Sequence, residues 1–417
     1  MSTTENDVQT GPTLVPSDLG ELRDAVVDST GPLVVRGGGT ASDWGGAVAR
    51  PHTVLSTAGL TGVIAHNPGD MTVSVRAGTP LERLQHELAG CEQRVAIDPA
   101  RARRGATLGG IFATADSGPL AYTFGSLRDL VIGATIVLAD GTVARSGGHV
   151  IKNVAGYDLT KLLHGAYGTF AVLAELVLRL HPVPPATRTV ALETSLDEAA
   201  AATLRAIAGP AEPTALQWCA GRLSEPGRLL VRIEGTPDGV EGRTRRIAEA
   251  LGGGARVLEP AEAESAWAAE ADAVDGRAGA LDDRVGAAGA GGSPPGDGAV
   301  LRLGVMPTRL TDVLRGLDIE VGLASVSACP ANGVATCTVP ARPEAVAAAH
   351  ARVAAAGGTT SLRHRPAGVD LPAWGPAPSS SALLRAVSAA VDPEQRLGRG
   401  RFEPWIPAPT SPTGGNA

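Results

Sequence analysis

Residues Gly105 to Leu180 read GATLGGIFATADSGPLAYTFGSLRDLVIGATIVLADGTVARSGGHVIKNVAGYDLTKLLHGAYGTFAVLAELVLRL. Glycine recurs at nearly every junction between short apolar runs, and few large side chains interrupt them. Such a pattern lets backbone N–H groups approach a large, flat or phosphorylated ligand closely. Within it a helix is expected over Thr107–Ala115 and a strand over Leu130–Leu138. Asp140-Gly141 then marks a hairpin turn into a second strand, Thr142–Arg145, because Asp-Gly accepts the positive φ such turns need. A short helix at Leu159–His164 and a strand at Phe170–Leu180 close the block.

Upstream, residues 1–13 read as disordered and Ser17–Asp28 as a capped helix. The strand Pro32–Arg36 runs directly into Gly37-Gly38-Gly39-Thr40. Strands at Thr53–Ser56, Gly62–His66 and Thr72–Arg76 precede a helix from Pro80 to Leu88. Downstream, HPVPP at His181–Pro185 marks a boundary, and the pattern changes. Two units follow, each with the β-α-β-β-α rhythm of a ferredoxin-like sheet carrying helices on one face. Their strands include Val321–Val326 and Val334–Pro340. Between the units, about 259–298 is rich in Ala, Gly and Asp and reads as a mobile insert.

A chain of 417 residues exceeds one typical core. Expected boundaries are 14–185 for the first domain, 186–378 for the second, 379–405 for a segment returning to the first, and 406–417 for a disordered tail. The net charge of −7, without a run of Lys or Arg, argues against nucleic acid as partner. MSTTENDVQTGPTLVPSD carries no secretory pattern. Leu130–Ala139 is too short to span a bilayer. The expected location is cytoplasmic, with any membrane association made through partners. Cys91, Cys219, Cys329 and Cys337 lack CxxC spacing, and no pair of histidines has ligand spacing with a carboxylate. No metal or iron–sulfur site is expected in this chain.

Two glycine loops carry the chemistry. RGGGT, Arg36–Thr40, follows a strand and can form an anion nest, with Thr40 adding a hydroxyl; the bland alternative is a plain inter-strand loop. It lacks the GK[ST] of a Walker loop and the spacing of a Rossmann fingerprint. GATLGG, Gly105–Gly110, places glycines at a helix N-terminus, where free N–H groups favour phosphate; its alternative is tight helix packing. Together they read as two halves of one pyrophosphate site. KNVAGYDL, Lys152–Leu159, gathers Lys, Asn, Tyr and Asp between glycines. Tyr157 covering the core and Asp158 capping a helix are the structural alternatives there.

With these motifs in view, RGGGT, GATLGG…SGP…GSLRDLVIGATIVLADG and KNVAGYDLTKLLHGAYGTFAVLAEL resemble the FAD domain of the vanillyl-alcohol-oxidase/PCMH flavoproteins. The resemblance is strongest to the small FAD-binding (GlcE-type) subunits of glycolate oxidase, over about 30–185, and returns at Asp392-Pro393…Leu397-Gly398. It implies an α+β fold: a two-subdomain PCMH-type FAD-binding domain followed by a ferredoxin-like α+β cap. It implies non-covalent FAD, since Thr40 stands where some relatives carry a flavin-linked histidine. Carried over, Arg36, Gly37, Gly38, Gly39 and Thr40 form one pyrophosphate loop and Thr107, Gly109 and Gly110 the other. Ala113, Ser117 and Gly118 line the flavin or ribityl chain, and the Val172 backbone approaches a ring. Lys152, Tyr157 and Arg128 are the catalytic candidates, with Asp129 and Asp158 as orienters.

The implied role is an oxidoreductase acting on a small 2-hydroxy acid beside a larger FAD-containing glycolate oxidase subunit and an iron–sulfur subunit. The alternative is a stand-alone FAD-dependent oxidase or dehydrogenase of another alcohol or 2-hydroxy acid. Related catalytic subunits carry an HxGDGNxH-type segment in the cap. The corresponding SACPANGVATCTV, Ser327–Val339, has no histidine and leaves the hydroxyl without an obvious proton acceptor.

Overall fold

A computed structural model describes residues 11–50, 52–149, 158–275 and 298–408. The first layer is a small parallel sheet in the order Thr13–Leu14, Thr53–Ser56, Leu33–Arg36. Leu19–Asp28 packs on it through Leu22 and Val26, its N-terminus capped by Asp18, which accepts from the Glu21 N–H. The second layer is a five-stranded antiparallel sheet ordered Val63–Asn67, Thr72–Arg76, Val172–Arg179, Val131–Val137, Val143–Gly147. Leu81–Ala89 buries Leu81, Leu84 and Leu88, and Leu108–Thr114 buries Leu108, Ile111 and Phe112, in a common core with this sheet.

The cap is one eight-stranded antiparallel sheet rather than two separate units. Its first half contains Ala186–Thr194, Ala215–Ala220 and Gly227–Gly235. The second contains Gly298–Gly304, Ser325–Cys329, Val334–Pro340 and Thr359–His364. The halves join where Ala215–Ala220 pairs antiparallel with Ser325–Cys329, Trp218 opposite Ala328. Strand alternation then gives the sheet two unlike faces. Leu216, Trp218, Leu301, Leu303, Val326, Ala328 and Leu362 point into the core with the helices Leu196–Ala208, Pro237–Leu251, Leu310–Val321 and Pro343–Ala355. Gln217, Arg232, Arg302, Ser327, Thr336 and Arg363 occupy the opposite face. Several of them bond to the first domain: Arg302 to Ser117, Arg232 to Asp98, and Arg363 to Asp116.

Two expectations shift here. Leu310–Val321 runs as helix through the expected start of a strand, and the strand is Ser325–Cys329. Ser327 and Cys329 thereby become sheet positions. The first part of the expected mobile insert is a helix, Pro260–Val274, opened by Pro at its first turn and a Glu259/Glu262 capping box. Its alanine-rich sequence favours helix. Ala266 packs with Ala191, Leu230 and Leu258. Asp275, just beyond it, pairs with Arg101 and Arg104 of the first domain at 3.0 and 2.7 Å.

The chain's last described segment closes the structure. Leu33 and Leu397 form a parallel bridge, with Leu33 N–H donating to Arg396 O and Gly398 N–H to Leu33 O. Buried Asp392 accepts from the N–H groups of Arg396 and Leu397. The Arg396 guanidinium donates to the carbonyls of Ala139, Val26 and Ser29. Trp374 of the cap stacks on Phe402 at 5.1 Å and donates to Arg401 O.

Candidate functional site

The larger cavity, about 210 Å³, opens where the two glycine loops meet. Arg36, Gly37, Gly38, Gly39, Thr40, Thr107, Gly109, Gly110 and Ala113 all line it. Val34, Val35, Ile111 and Leu173 add apolar wall, and Arg50, Arg101, Asp116, Tyr167 and Arg401 polar groups.

The loops touch through their glycines. A Cβ on Gly37 would stand 2.2 Å from Thr107 Oγ1, and one on Gly38 2.1 Å from Gly105 O. Only hydrogen fits at either position. The two loops nonetheless differ in what they offer a ligand. In the second, Leu108 N–H donates to Thr79 O, Gly109 N–H to Ala77 O and Gly110 N–H to Thr107 Oγ1. Those three helix-start N–H groups are therefore used within the protein, and of Gly105–Gly110 only the Thr107 N–H has no hydrogen-bond partner among the described residues. In the first loop, among the described residues, the N–H groups of Gly37, Gly38, Gly39 and Thr40 have no hydrogen-bond partner. Gly38 and Gly39 are exposed and Gly37 and Thr40 half-buried, so these four successive donors on the cavity wall are open to anionic oxygens.

Charge agrees with this. Arg36 and Arg50 form no ion pair among the described residues. Arg101 is committed elsewhere: it pairs with Asp275 and, at 3.9 Å, with Asp116. Its guanidinium and that of Arg363 lie 3.9 and 3.8 Å from the ring centre of buried Trp44. Arg401 donates to the carbonyls of Ser42, Trp44 and Gly46, which fixes the loop after RGGGT. Burial brings its pKa down to about 10, so it stays charged. Unpaired N–H groups and cations beside apolar walls fit a dinucleotide carrying a pyrophosphate and a flat ring.

A second cavity of about 100 Å³ lies between the first domain and the polar face of the cap sheet. Asp98, Ser117, Gly118, Gln217, Glu270, Arg302, Ser327, Cys329, Asn332 and Thr336 line it. Ala100 faces this cavity and Arg101 the larger one; Ser117 faces this one and Asp116 the larger. Neighbouring residues thus form the partition between the two.

The other expected residues fall elsewhere. Ser117 and Gly118 line the second cavity rather than the first, and Gly118 packs on Asp98, whose carbonyl would lie 2.0 Å from an added Cβ. Val172 is buried in the core; its neighbours Ala171 and Leu173 reach the larger cavity. Arg128 is exposed and lines neither cavity; its carbonyl accepts from Lys161. Asp129 closes a capping box with Ser126, and Asp158 pairs with Lys161 at 3.5 Å. Lys152 and Tyr157 lie outside the described residues. Among the described residues no group of His, Cys, Asp and Glu could hold a metal ion.

Residues 13–147 match the FAD binding domain family. The match covers about a third of the chain, its N-terminal part. The matched segment contains both loops of the larger cavity, so the cofactor of this domain is FAD. Among curated proteins, the glycolate oxidase subunit GlcE of Escherichia coli (strain K12) is 32% identical over 237 residues, 56% of this chain and 63% of the relative. A D-lactate dehydrogenase of Archaeoglobus fulgidus is 32% identical over 199 residues, 48% of this chain and 44% of the relative. The glycolate oxidase subunit GlcD of Bacillus subtilis (strain 168) is 30% identical over 201 residues, 48% of this chain and 42% of the relative. The chain thus spans less than two thirds of each of these relatives. An alkyldihydroxyacetonephosphate synthase structure shares the fold of the FAD domain and its cap, with TM-score 0.69 at 16% identity over 93% of this chain and 75% of that one. No helix among the described residues is long and apolar enough to cross a membrane.

Proposed function

We propose that this chain is an FAD-dependent oxidoreductase acting on the CH–OH group of a small 2-hydroxy acid, as a GlcE-like subunit of a glycolate-oxidising assembly. One observation carries the reading: the unpartnered N–H groups of Gly37–Thr40 line a cavity with Arg36 and Arg50. Similarity to GlcE over 56% of the chain supports the substrate class. When bound, FAD supplies the two-electron acceptor for the alcohol. The protein's part is to hold the pyrophosphate on the first loop, keep the second loop packed against it through Gly37 and Gly38, and exclude water with the cap. Residues 14–185 form the cofactor unit, 186–378 the cap, and 379–405 the returning segment. The flavin is held non-covalently.

The partners are a larger FAD-containing glycolate oxidase subunit and an iron–sulfur subunit, the second taking electrons onward because this chain holds no CxxC-spaced cysteines. The assembly is cytoplasmic, and its partners make any membrane contact. D-Lactate dehydrogenases among the relatives favour a second reading, a stand-alone dehydrogenase. Purifying the chain alone and with its partner subunits separates the two. The first reading expects a yellow protein that turns over 2-hydroxy acids only in the reconstituted assembly. Full turnover by the isolated chain overturns it.

A further inference from the structure

Resting on the FAD reading above, we infer that the second cavity is the binding site of a small 2-hydroxy monocarboxylate, with Arg302 holding the carboxylate and the Ser327–Glu270 pair meeting the hydroxyl.

The argument begins with Arg302. It projects from Gly298–Gly304 on the polar face of the cap sheet, and its guanidinium donates to Ser117 Oγ at 2.8 Å. Asp116 and Glu270 act on it through space, but it forms no ion pair with any described residue. A guanidinium at a domain interface without a carboxylate partner is costly unless an anion arrives. Its fork geometry suits a carboxylate held by parallel N–H donors.

Glu270 supplies the second half. It comes from the helix Pro260–Val274 and is 4% exposed. Ser327 Oγ donates to Glu270 Oε1 at 2.8 Å, and Gln217 lies against the same hydroxyl at 2.7 Å. Burial raises the Glu270 carboxyl to about 7, against the Ser327 hydrogen bond, which lowers it. Its second oxygen forms no hydrogen bond with a described residue. A substrate hydroxyl donating to it would satisfy that oxygen. Asp98, the other carboxylate on the wall, is already paired with Arg232 at 3.3 Å. Arg302 is the cation on this wall, and it has no ion pair among the described residues. A volume of about 100 Å³ limits the occupant to a small acid, and the partition at Ala100/Arg101 and Asp116/Ser117 places it next to the FAD cavity.

The test is a ligand-observed NMR titration of the full, FAD-loaded chain under anaerobic conditions, with glycolate and acetate as probes. Flavin absorbance is recorded first, so that failure to hold FAD is seen separately from failure to bind the acid. The expected result is saturable glycolate binding, weaker acetate binding, and a loss of at least about tenfold in glycolate affinity for Arg302→Met with flavin content unchanged. Glu270→Leu is expected to shrink the glycolate–acetate difference toward one while acetate binding persists. It also serves if Arg302→Met fails to fold. Absent glycolate binding with flavin in place overturns this site and leaves the FAD reading standing. So does equal affinity in Arg302→Met, or a glycolate–acetate difference unmoved by Glu270→Leu. A chain that takes up no flavin overturns the FAD reading; the same titration of the flavin-free chain then decides the cavity, by binding that depends on Arg302 or by none.

Discussion

Gly38 lies so close to Gly105 that a Cβ on the first would stand 2.1 Å from the carbonyl oxygen of the second. The two glycine loops are therefore one packed unit, and the second shapes the first. Because the Leu108, Gly109 and Gly110 N–H groups are used internally, the role of GATLGG is to brace RGGGT.

Gly38→Ala should force the loops apart at a cost of about 1–3 kcal/mol and reduce FAD retention at least about tenfold. Gly39 is the comparison: no backbone crowds it, but its φ is 72°, so Gly39→Ala should cost only about 1–2 kcal/mol of conformational strain. Flavin content of the purified variants, with circular dichroism to verify folding, ranks them. Equal occupancy in Gly38→Ala and wild type would contradict the packing account.

The Arg396 guanidinium ties the returning segment to the carbonyls of Ala139, Val26 and Ser29. Arg396→Ala should destabilise the chain by about 3 kcal/mol, since hydrogen bonds to a charged group are worth about 1.5–3 kcal/mol each and water recovers part of the loss. Urea unfolding measures it. A midpoint indistinguishable from wild type would show that the segment is only draped over the sheet.

Glu270 gives a pH signature whose sign follows from its burial. Its carboxyl is raised from 4.5 to about 7 in the fold. The folded state thus binds more protons than the unfolded state between those values, and stability falls as pH rises through that window, then levels off above it. Glu270→Gln removes the dependence, because the amide oxygen can still accept from Ser327. Its advantage over wild type should grow from near zero below pH 4.5 to about 3 kcal/mol above pH 7. Thermal melts of both proteins across that range test this. A constant difference would mean that Glu270 titrates in the fold as it does in the unfolded chain.

Non-covalent flavin is checked by acid precipitation. The expected outcome is yellow supernatant and colourless pellet. Flavin retained in the pellet would contradict it and direct attention to His52, which also lines the larger cavity.

The sequence showed some of this directly and hid the rest for physical reasons. A glycine triplet after a strand and a glycine pair at a helix start are local signals, so the residues of both loops were readable, as were most of the longer strands. Their division of labour was not, because the acceptors for the second loop's N–H groups, Ala77 O and Thr79 O, belong to another segment. Arg302, Arg363 and Arg401 carried no signal: each reads as one more surface arginine until the sheet order brings it against Ser117, Trp44 or the 42–46 loop. Averaged composition over 259–298 concealed the helix Pro260–Val274, whose glycine-free sequence differs from the glycine-rich residues after it. With it went Glu270, the carboxylate that accepts from Ser327.

The most direct test of the central claim is a titration of the full chain with FAD, followed by quenching of flavin fluorescence. Binding that saturates at one FAD per chain, and is lost in Gly38→Ala, is the predicted result. Flavin fluorescence unchanged by a folded wild-type chain, up to a large excess of protein over FAD, would contradict it.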